Sequence, residues 1–227
     1  MPPRPSRNLD RALLAAGREL LPHRGCAGLS IREVADAAGV NLGMFHYHFK
    51  SREAFLRTLL QSMYDEMYSQ LSFEADEKHG PMDALRGALR FMARFVRANR
   101  PVLARIIGDA LCGDPIAMEF MRNNFPRHLG LIVSLIQLGQ AQGMIRPMPP
   151  PQALGICAGG IAMPILVAGT IIDTGALGAP GSKMISEALL TDAALDQRIE
   201  LLLAAISNPT IAVPAKKRAR APKGKTK

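Results

Sequence analysis

The sequence predicts an all-α protein of about nine helices, in which a small three-helix unit precedes a larger helical part. Three observations predict it. Apolar residues recur with the 3.6-residue period of a helix, good N-cap residues stand directly before several of these stripes, and glycines and prolines separate the stripes. Because starts and stops are both marked, each helix can be placed separately along the chain.

The first predicted helix follows Asn8, which is a good N-cap, and is ended by Pro22 and Gly25. One side of this helix carries the apolar residues Leu9, Leu13, Ala16 and Leu20. A loop with two glycines spans residues 24–30. The chain therefore turns before the next helix begins.

A capping box predicts where the second helix starts. Ser30 and Glu33 have the spacing at which each side chain can bond the other's free backbone amide, so a helix begins at Ile31. The apolar positions fall at i, i+3, i+4 and i+7, and they are Ile31, Val34, Ala35 and Ala38. Gly39 then supplies a turn.

The third helix completes a helix-turn-helix. Asn41 is a good N-cap, and Phe45 and Phe49 share one face of the short helix that follows. Other residues of this segment are left largely outward, namely Asn41, Leu42, Gly43, Met44, His46 and Tyr47. Two capped helices around a glycine turn, with a polar and aromatic outer surface, are typical of a major-groove DNA reader.

Serine, proline and glycine mark the remaining helices. Ser51 caps a long fourth helix, and Gly80–Pro81 separates it from a basic amphipathic helix that reaches about Ala98. Four further helices are predicted, at about 101–113, 115–142, 152–172 and 192–207. The last of these has a clear apolar stripe, formed by Leu195, Ile199, Leu202 and Ile206.

Composition limits the class of protein. The chain has 227 residues and is about half apolar, which is enough for one sizeable core and a small extra domain. Its three cysteines are widely spaced and odd in number, which favours a reducing cytoplasm. The first residues lack the apolar core of a signal peptide, so export is not indicated.

Positive charge is concentrated at the C-terminus. The chain carries 28 Lys and Arg against 19 Asp and Glu, a net charge of +9, and seven of the cations lie in residues 211–227. This segment has no apolar period and is predicted to be a disordered basic tail. It either holds DNA phosphates without sequence preference or keeps the chain soluble, and the sequence leaves both open.

An uncharged segment at residues 154–172 is long enough to raise a membrane-spanning interpretation. It contains four glycines and a proline, it has no basic flank directly on either side, and it lacks aromatic anchors at its ends. A buried helix that packs closely on a partner explains the segment better, and no membrane partner is expected.

The residues between Ala35 and Phe55 follow the pattern AxxAGVNxGxFxYHFxSREAF, which resembles the N-terminal signature of the TetR family of bacterial transcriptional repressors. The likeness runs in order from about Leu9 to Leu60. It implies a helix-turn-helix domain at 1–52 and a helical effector-binding and dimerisation domain at 53–210. No cofactor is expected.

The resemblance implies a dimer whose two recognition helices enter successive major grooves of a near-palindromic DNA operator. Ser30 and Arg52 are predicted to hold phosphates, as are His46 and His48, whereas Tyr47 and Asn41 reach base edges or backbone. Leu42 and Met44 either pack or meet thymine methyl groups. The predicted DNA contacts are therefore Ser30, Asn41, Leu42, Gly43, Met44, His46, Tyr47, His48 and Arg52.

The resemblance also implies a pocket for a small, apolar effector of unknown identity, and a homodimer formed by the last two helices. Candidate pocket walls are Met63, Met67, Met92, Phe95, Met118, Met121 and Phe125. Possible polar handles are Arg90, Arg94, Arg105, Asn123 or Asn124. The predicted dimer interface comprises Gly155, Gly159, Leu195, Ile199, Leu202 and Ile206.

Other functions are less well supported by the sequence. No metal site is predicted, because His46 and His48 point to different sides of a helix and no HExxH motif or cysteine pair occurs. A helical enzyme lacks a phosphate loop, a GxSxG elbow and a nucleophile with a base. A membrane-anchored regulator that uses residues 154–172 stays as an alternative to a cytoplasmic one.

Overall fold

The computed structural model of the protein describes residues 6–76 and 80–209, and over these ranges the chain forms ten helices. Their bounds are α1 Ser6–Gly28, α2 Ile31–Ala37, α3 Leu42–Phe49, α4 Arg52–Glu74, α5 Pro81–Ala98, α6 Arg100–Leu111, α7 Pro115–Ala141, α8 Pro150–Asp173, α9 Gly178–Leu189 and α10 Asp192–Ile206. The all-α prediction is confirmed. The predicted basic tail at 211–227 lies outside the described residues.

Two features of the helix pattern differ from the predictions. Helix α9 was not predicted, because its segment opens with glycine and proline and its contact with the core is small: no side chain is fully buried, and Ile185 and Leu189 pack on the C-terminal core only partly buried. Helix α1 begins at Ser6 rather than after Asn8 and continues through Pro22. Its break falls at Gly25, whose positive φ of 68° suits glycine.

Three of the four predicted N-caps are present, and the fourth, Asn8, lies inside α1. The Ser30 hydroxyl oxygen accepts a hydrogen bond from the Arg32 amide at 3.3 Å, and the Asn41 side-chain oxygen accepts one from the Met44 amide at 2.9 Å. Ser51 caps α4 in the same way. Glu33 does not complete the capping box, because its carboxylate pairs with the Arg24 guanidinium at 2.7 Å.

An N-terminal core joins the helix-turn-helix to the rest of the chain. This core is the cluster of buried residues from α1, α2, α3, the first half of α4 and α6, together with the start of α7. At its centre the rings of Phe45, Phe49 and Phe55 meet at centroid distances of 5.0 to 5.7 Å. Val102 and Ile106 of α6 close it. Helix α6 therefore packs against the DNA-binding unit as part of its core.

A C-terminal core fills the space between the second half of α4 and helices α5, α7, α8 and α10. It is built mainly of leucine, isoleucine and alanine. A row of arginines on α5 ties its outer side to acidic residues of α10, as in the 2.9 Å pair between Arg90 and Asp196. Helix α4 runs from one core to the other, and a boundary between residues 52 and 53 falls at its first turn.

Candidate DNA-binding surface and internal cavity

Helix α3 is buried on one side and exposed on the other. Phe45 and Phe49 lie in the N-terminal core, while the Tyr47 side is open, with Tyr47 itself 76% exposed. Asn41, Gly43 and His46 are also exposed, and Met44 is half-buried. This open side combines a phenol, an imidazole and an amide with a glycine that lets another surface approach closely.

His48 does not lie on the open side, which corrects the predicted DNA contact. Its side chain is only 6% exposed, and its Nδ1 lies 2.5 Å from the Asp10 carboxylate of α1. The residue follows His46 by two positions, and such residues point to different sides of a helix. His48 therefore fastens α3 to α1.

Arg52 also has a different role from the predicted phosphate contact. Its Nε donates to the Leu29 carbonyl at 2.7 Å, and its Nη2 donates to the carbonyls of Ala27 and Cys26. The guanidinium thus satisfies carbonyls of residues 26–29, the segment between the kink at Gly25 and α2, which we call the loop before α2. These bonds hold that loop against the start of α4.

Two further cations lie beside the helix-turn-helix, and no local sequence pattern identifies them as DNA contacts. Arg32 in the first turn of α2 and Lys50 directly after α3 are exposed, and Lys50 has a positive φ of 55°. Fixed positive charges next to a recognition helix suit phosphate contacts. Leu42 partly packs on the N-terminal core, and Ser30 keeps its hydroxyl hydrogen free to donate.

An apolar cavity of about 410 Å³ lies where the two cores meet, between α4, α5, α6, α7 and α8. Five of the seven predicted wall residues line it, and these are Met63, Met67, Met92, Phe95 and Phe125. Met118 and Met121 do not line the cavity. Met118 is 41% exposed, because the buried face of α7 in this part runs through Ala117, Asn124 and His128 and Met118 lies beside that face.

The predicted charged handles lie outside the cavity. Arg90 pairs with Asp196, Arg94 lies 3.6 Å from Asp192, and Arg105 lies 3.5 Å from Asp109. The amide side chain of Asn124 is buried and donates to the Phe120 carbonyl. Asn123 lines a separate, open groove of about 520 Å³ between α4 and α7, where the Arg57 and Glu119 side chains form an ion pair.

Tyr64 and His128 form a small polar patch on the wall of the cavity. Tyr64 donates its hydroxyl hydrogen to the Asn124 carbonyl at 2.8 Å, and the His128 Nδ1 lies 3.4 Å from the same hydroxyl oxygen. Burial lowers the pKa of His128 below its usual value, although a hydrogen bond to the Asn124 backbone opposes the shift. His128 is therefore a neutral ring at neutral pH.

The predicted dimer interface needs a correction on α10. Leu195, Ile199 and Ile206 are buried in the C-terminal core of this one chain, and Leu202 packs over Gly160. The most apolar side of an amphipathic helix usually packs on the core of its own chain and is then not available to a partner. On α8, by contrast, a Cβ added at Gly155 or at Gly159 would meet open space.

A different apolar surface is exposed on these helices. Along α8 it repeats every four residues and comprises Gly155, Gly159, Met163 and Val167, with Met163 57% exposed. Leu201 of α10 is 64% exposed. We call these five residues the α8–α10 stripe. The i+4 spacing of Gly155 and Gly159 in the sequence indicates the α8 part of this surface, whereas no sequence pattern indicates Leu201.

Helix α8 is the one helix in the described ranges that is long and apolar enough to cross a membrane by length and composition. Its inner face, with Cys157, Ile161 and Ile165, belongs to the C-terminal core. A single helix of this kind is weak evidence for a membrane span, since core helices of other proteins have the same composition.

The buried cysteines are not suited to nucleophilic chemistry. Burial raises the pKa of the Cys26 thiol to about 12 and that of the Cys157 thiol to about 11, so both are protonated at neutral pH. Over residues 6–76 and 80–209, no cluster of three metal-ligating side chains is found.

A capped helix-turn-helix with an exposed polar third helix, carried by a larger helical body, defines the chain as a DNA-binding transcription regulator. The family model for bacterial regulatory proteins of the tetR family matches residues 13–59. The HTH-type transcriptional repressor KstR2 of Mycobacterium tuberculosis is 30% identical over 139 residues, which cover 60% of this chain and 68% of that protein. The chain belongs to the TetR family.

Two further comparisons agree with this assignment. The HTH-type transcriptional repressor KstR2 of Mycolicibacterium smegmatis is 27% identical over 149 residues, covering 64% of this chain and 71% of that protein. The crystal structure of the transcriptional regulator FadR from Bacillus subtilis, in complex with stearoyl-CoA, superposes with a TM-score of 0.65 at 16% identity. The match covers 86% of this chain and 98% of that chain, and shows the shared fold.

The predicted family, the predicted DNA-binding regulator and the predicted non-enzymatic role are confirmed by these relatives. Members of the family bind DNA operators and small-molecule ligands. Which residues of this chain contact DNA, effector or a second copy stays a prediction.

Proposed function

We propose that the protein is a cytoplasmic repressor that binds a near-palindromic operator as a homodimer and leaves it when a small, largely apolar effector occupies the internal cavity. The observation that carries this proposal is the division of α3 into a buried aromatic side and an open polar side. A helix of this kind has the exposed donors and acceptors that read base edges in a major groove.

The open side of α3 supports the following roles for individual residues. Tyr47, Asn41 and His46 would hydrogen-bond base edges or backbone, and Gly43 would allow the helix to approach the groove floor. Met44 would meet a thymine methyl group. Arg32, Lys50 and the Ser30 hydroxyl, which stand beside this side, would hold phosphates.

The α8–α10 stripe supports the homodimer. Its residues are apolar, all except the half-buried Gly159 are exposed, and its two glycines allow close approach of a partner helix. Gly159 and Met163 also line the cavity, so the stripe borders it. A second copy would bring the same stripe to the contact, as twofold symmetry requires. Lipid would cover the stripe equally well, but the opposite side of α8 is already committed to the core.

Helix α6 offers a path from the cavity to the reading helices. Val102 and Ile106 line both the cavity and the N-terminal core. Within the next turn, the buried Asp109 carboxylate accepts a hydrogen bond from the Cys26 amide at 2.6 Å, directly after the kink at Gly25. An effector that prefers one position of α6 would therefore move the loop before α2.

DNA protection tests the reading function. The full chain, with and without residues 211–227, is incubated with its own promoter region and with random DNA at two salt concentrations. We expect protection of a near-palindrome that persists without the tail, while random DNA is released as salt rises. Tyr47→Ala should weaken specific binding by about 1 kcal/mol or more, and Phe73→Ala, at an exposed aromatic on the far half of α4, is the matched control.

Sedimentation tests the dimer separately. Met163→Glu and Leu201→Glu place charge on the stripe and should produce monomers, whereas Phe73→Glu should not. In the DNA-protection experiment, equal affinity for promoter and random DNA would contradict the proposed repressor. Dimers that survive both stripe substitutions would contradict the proposed interface.

A further inference from the structure

The wall of the cavity has no charge. Among the described residues that line it there is no lysine, arginine, aspartate or glutamate. The basic residues of the surrounding helices are bound elsewhere, with Arg90 on Asp196, Arg105 beside Asp109 and Arg127 over the Tyr68 ring. An ionised ligand group would therefore lose its water in this cavity and gain no opposite charge.

The polar patch of Tyr64 and His128 can offer a ligand a hydrogen-bond acceptor but not a donor. Tyr64 has one hydroxyl hydrogen, and the Asn124 carbonyl already accepts it. We assign the hydrogen of the neutral ring to the His128 Nδ1, which lies 3.4 Å from the Tyr64 oxygen and can donate to it. This tautomer leaves the Nε2 of His128 with an unshared lone pair.

A second acceptor stands at the junction of α5 and α6. Asn99 lines the cavity, and its side-chain Nδ2 donates to the Phe95 carbonyl at 2.9 Å. No hydrogen bond reaches its Oδ1 from residues 6–76 or 80–209. A ligand that donates a hydrogen bond to such an acceptor gains more than one that leaves it dry and unpaired.

We propose that the cavity binds an uncharged, predominantly hydrocarbon ligand that carries a hydroxyl group and donates its hydrogen to His128 Nε2 or Asn99 Oδ1. The inference rests on the proposed function, since it takes the cavity as the effector site. It disfavours ionised carboxylates and CoA thioesters. The ligand class therefore differs from the stearoyl-CoA of the FadR complex.

Four probes whose main chains have the same number of carbon atoms test the inference, namely dodecanol, dodecyl methyl ether, dodecanoate and dodecanoyl-CoA. Binding to the full-length protein is measured by calorimetry at neutral pH, and release of the operator is followed in parallel. We expect dodecanol to bind at least about tenfold more tightly than either charged probe. The affinity of dodecanol should exceed that of the ether, which has no hydrogen to donate, by about threefold to tenfold.

Variants locate the hydrogen bond. The double variant His128→Leu/Asn99→Leu should bring the ratio of alcohol to ether affinity close to one, since it removes both acceptors, and the two single variants show which acceptor the hydroxyl uses. Asn123→Leu is the matched control, because Asn123 lies in the outer groove and should leave the ratio unchanged. Thermal unfolding and operator binding of each variant show that it is folded, so that a lost preference reports on the cavity.

The outcomes separate the ligand class from the proposed function. Tighter binding of dodecanoate or dodecanoyl-CoA, equal binding of alcohol and ether, or no binding of any probe would each overturn the uncharged hydroxyl ligand. None of these results affects specific operator binding in the absence of probe. Loss of that specificity would overturn the proposed repressor whatever the probes do.

Discussion

The N-terminal core and the C-terminal core solve the packing problem differently. In the N-terminal core three phenylalanine rings interlock, and even Gly17 lies so close to Phe55 that an added Cβ would meet the ring at 2.7 Å. The C-terminal core is built from aliphatic and small side chains and borders a cavity of about 410 Å³ with methionine in its walls. The helix-turn-helix and the N-terminal core, which we call the reading unit, are thus tightly packed. The C-terminal core and the cavity, which we call the regulatory part, keep empty volume and flexible side chains.

The largest expected effect breaks the filled core. Phe55→Ala removes a fully buried ring that touches both Phe45 and Phe49, and should cost about 3–5 kcal/mol of unfolding free energy. Met92→Ala, at the half-buried cavity wall, should cost less than half as much because that site is already underpacked. Urea unfolding of both variants measures the difference. Equal losses would show that the two cores are packed alike.

A smaller effect tests the connection between the cores. Asp109→Ala leaves the Cys26 amide buried without its acceptor and should cost about 1–3 kcal/mol. Operator release by an effector should also weaken, since α6 loses its bond to the loop. Asp109→Asn retains an oxygen acceptor and should recover most of the stability. If α6 does not transmit the signal, Asp109→Ala will respond to effector as the unmodified chain does.

Acid should destabilise the regulatory part through His128. Its pKa in the folded chain is lowered, so below the unfolded value of about 6.5 the unfolded chain takes up a proton that the folded chain refuses. Stability should therefore fall as pH drops from about 7, by at most about 1.4 kcal/mol per pH unit, until the folded pKa is reached. His128→Gln should flatten this dependence, while the exposed His23→Gln should not. Thermal unfolding across this pH range gives the answer.

The smallest expected effect concerns the ion pairs that join α5 to α10. Glu200→Gln removes one of the two acidic partners of Arg86, which keeps Asp83, and should cost at most about 1 kcal/mol, since both side chains are partly solvated. The loss should disappear at high salt. Comparing unfolding midpoints of the two proteins at low and high salt measures it. A loss that persists at high salt would mean that Glu200 acts through packing.

The helix-turn-helix could be predicted in detail because its signals are local. Caps at Ser30, Asn41 and Ser51, the glycine turn and the Phe45–Phe49 pair are all set within a few residues of sequence. His48 and Arg52 were misassigned because their partners, in α1 and in the loop before α2, are distant in sequence. A cation or histidine in a motif does not reveal whether the fold has already used it.

The regulatory part could be predicted only coarsely. The stripe on α10 was found, but its assignment to a second copy was wrong for Leu195 and Ile199, because periodicity gives the apolar side of a helix and not what covers it. Five cavity residues were identified by their type, yet Met118 shares that type and lies outside. An empty volume depends on how five helices meet, and no local pattern encodes that.

The continuity of α4 gives this protein a lever. Its 23 residues span about 34 Å at about 1.5 Å each, with one end in the reading unit and the other beside α5 and α7. A tilt of only about 5° about one end displaces the other by about 3 Å, nearly the spacing of about 3.4 Å between stacked base pairs. A small tilt of α4 about its cavity end would therefore be enough to shift α3 by almost one base step.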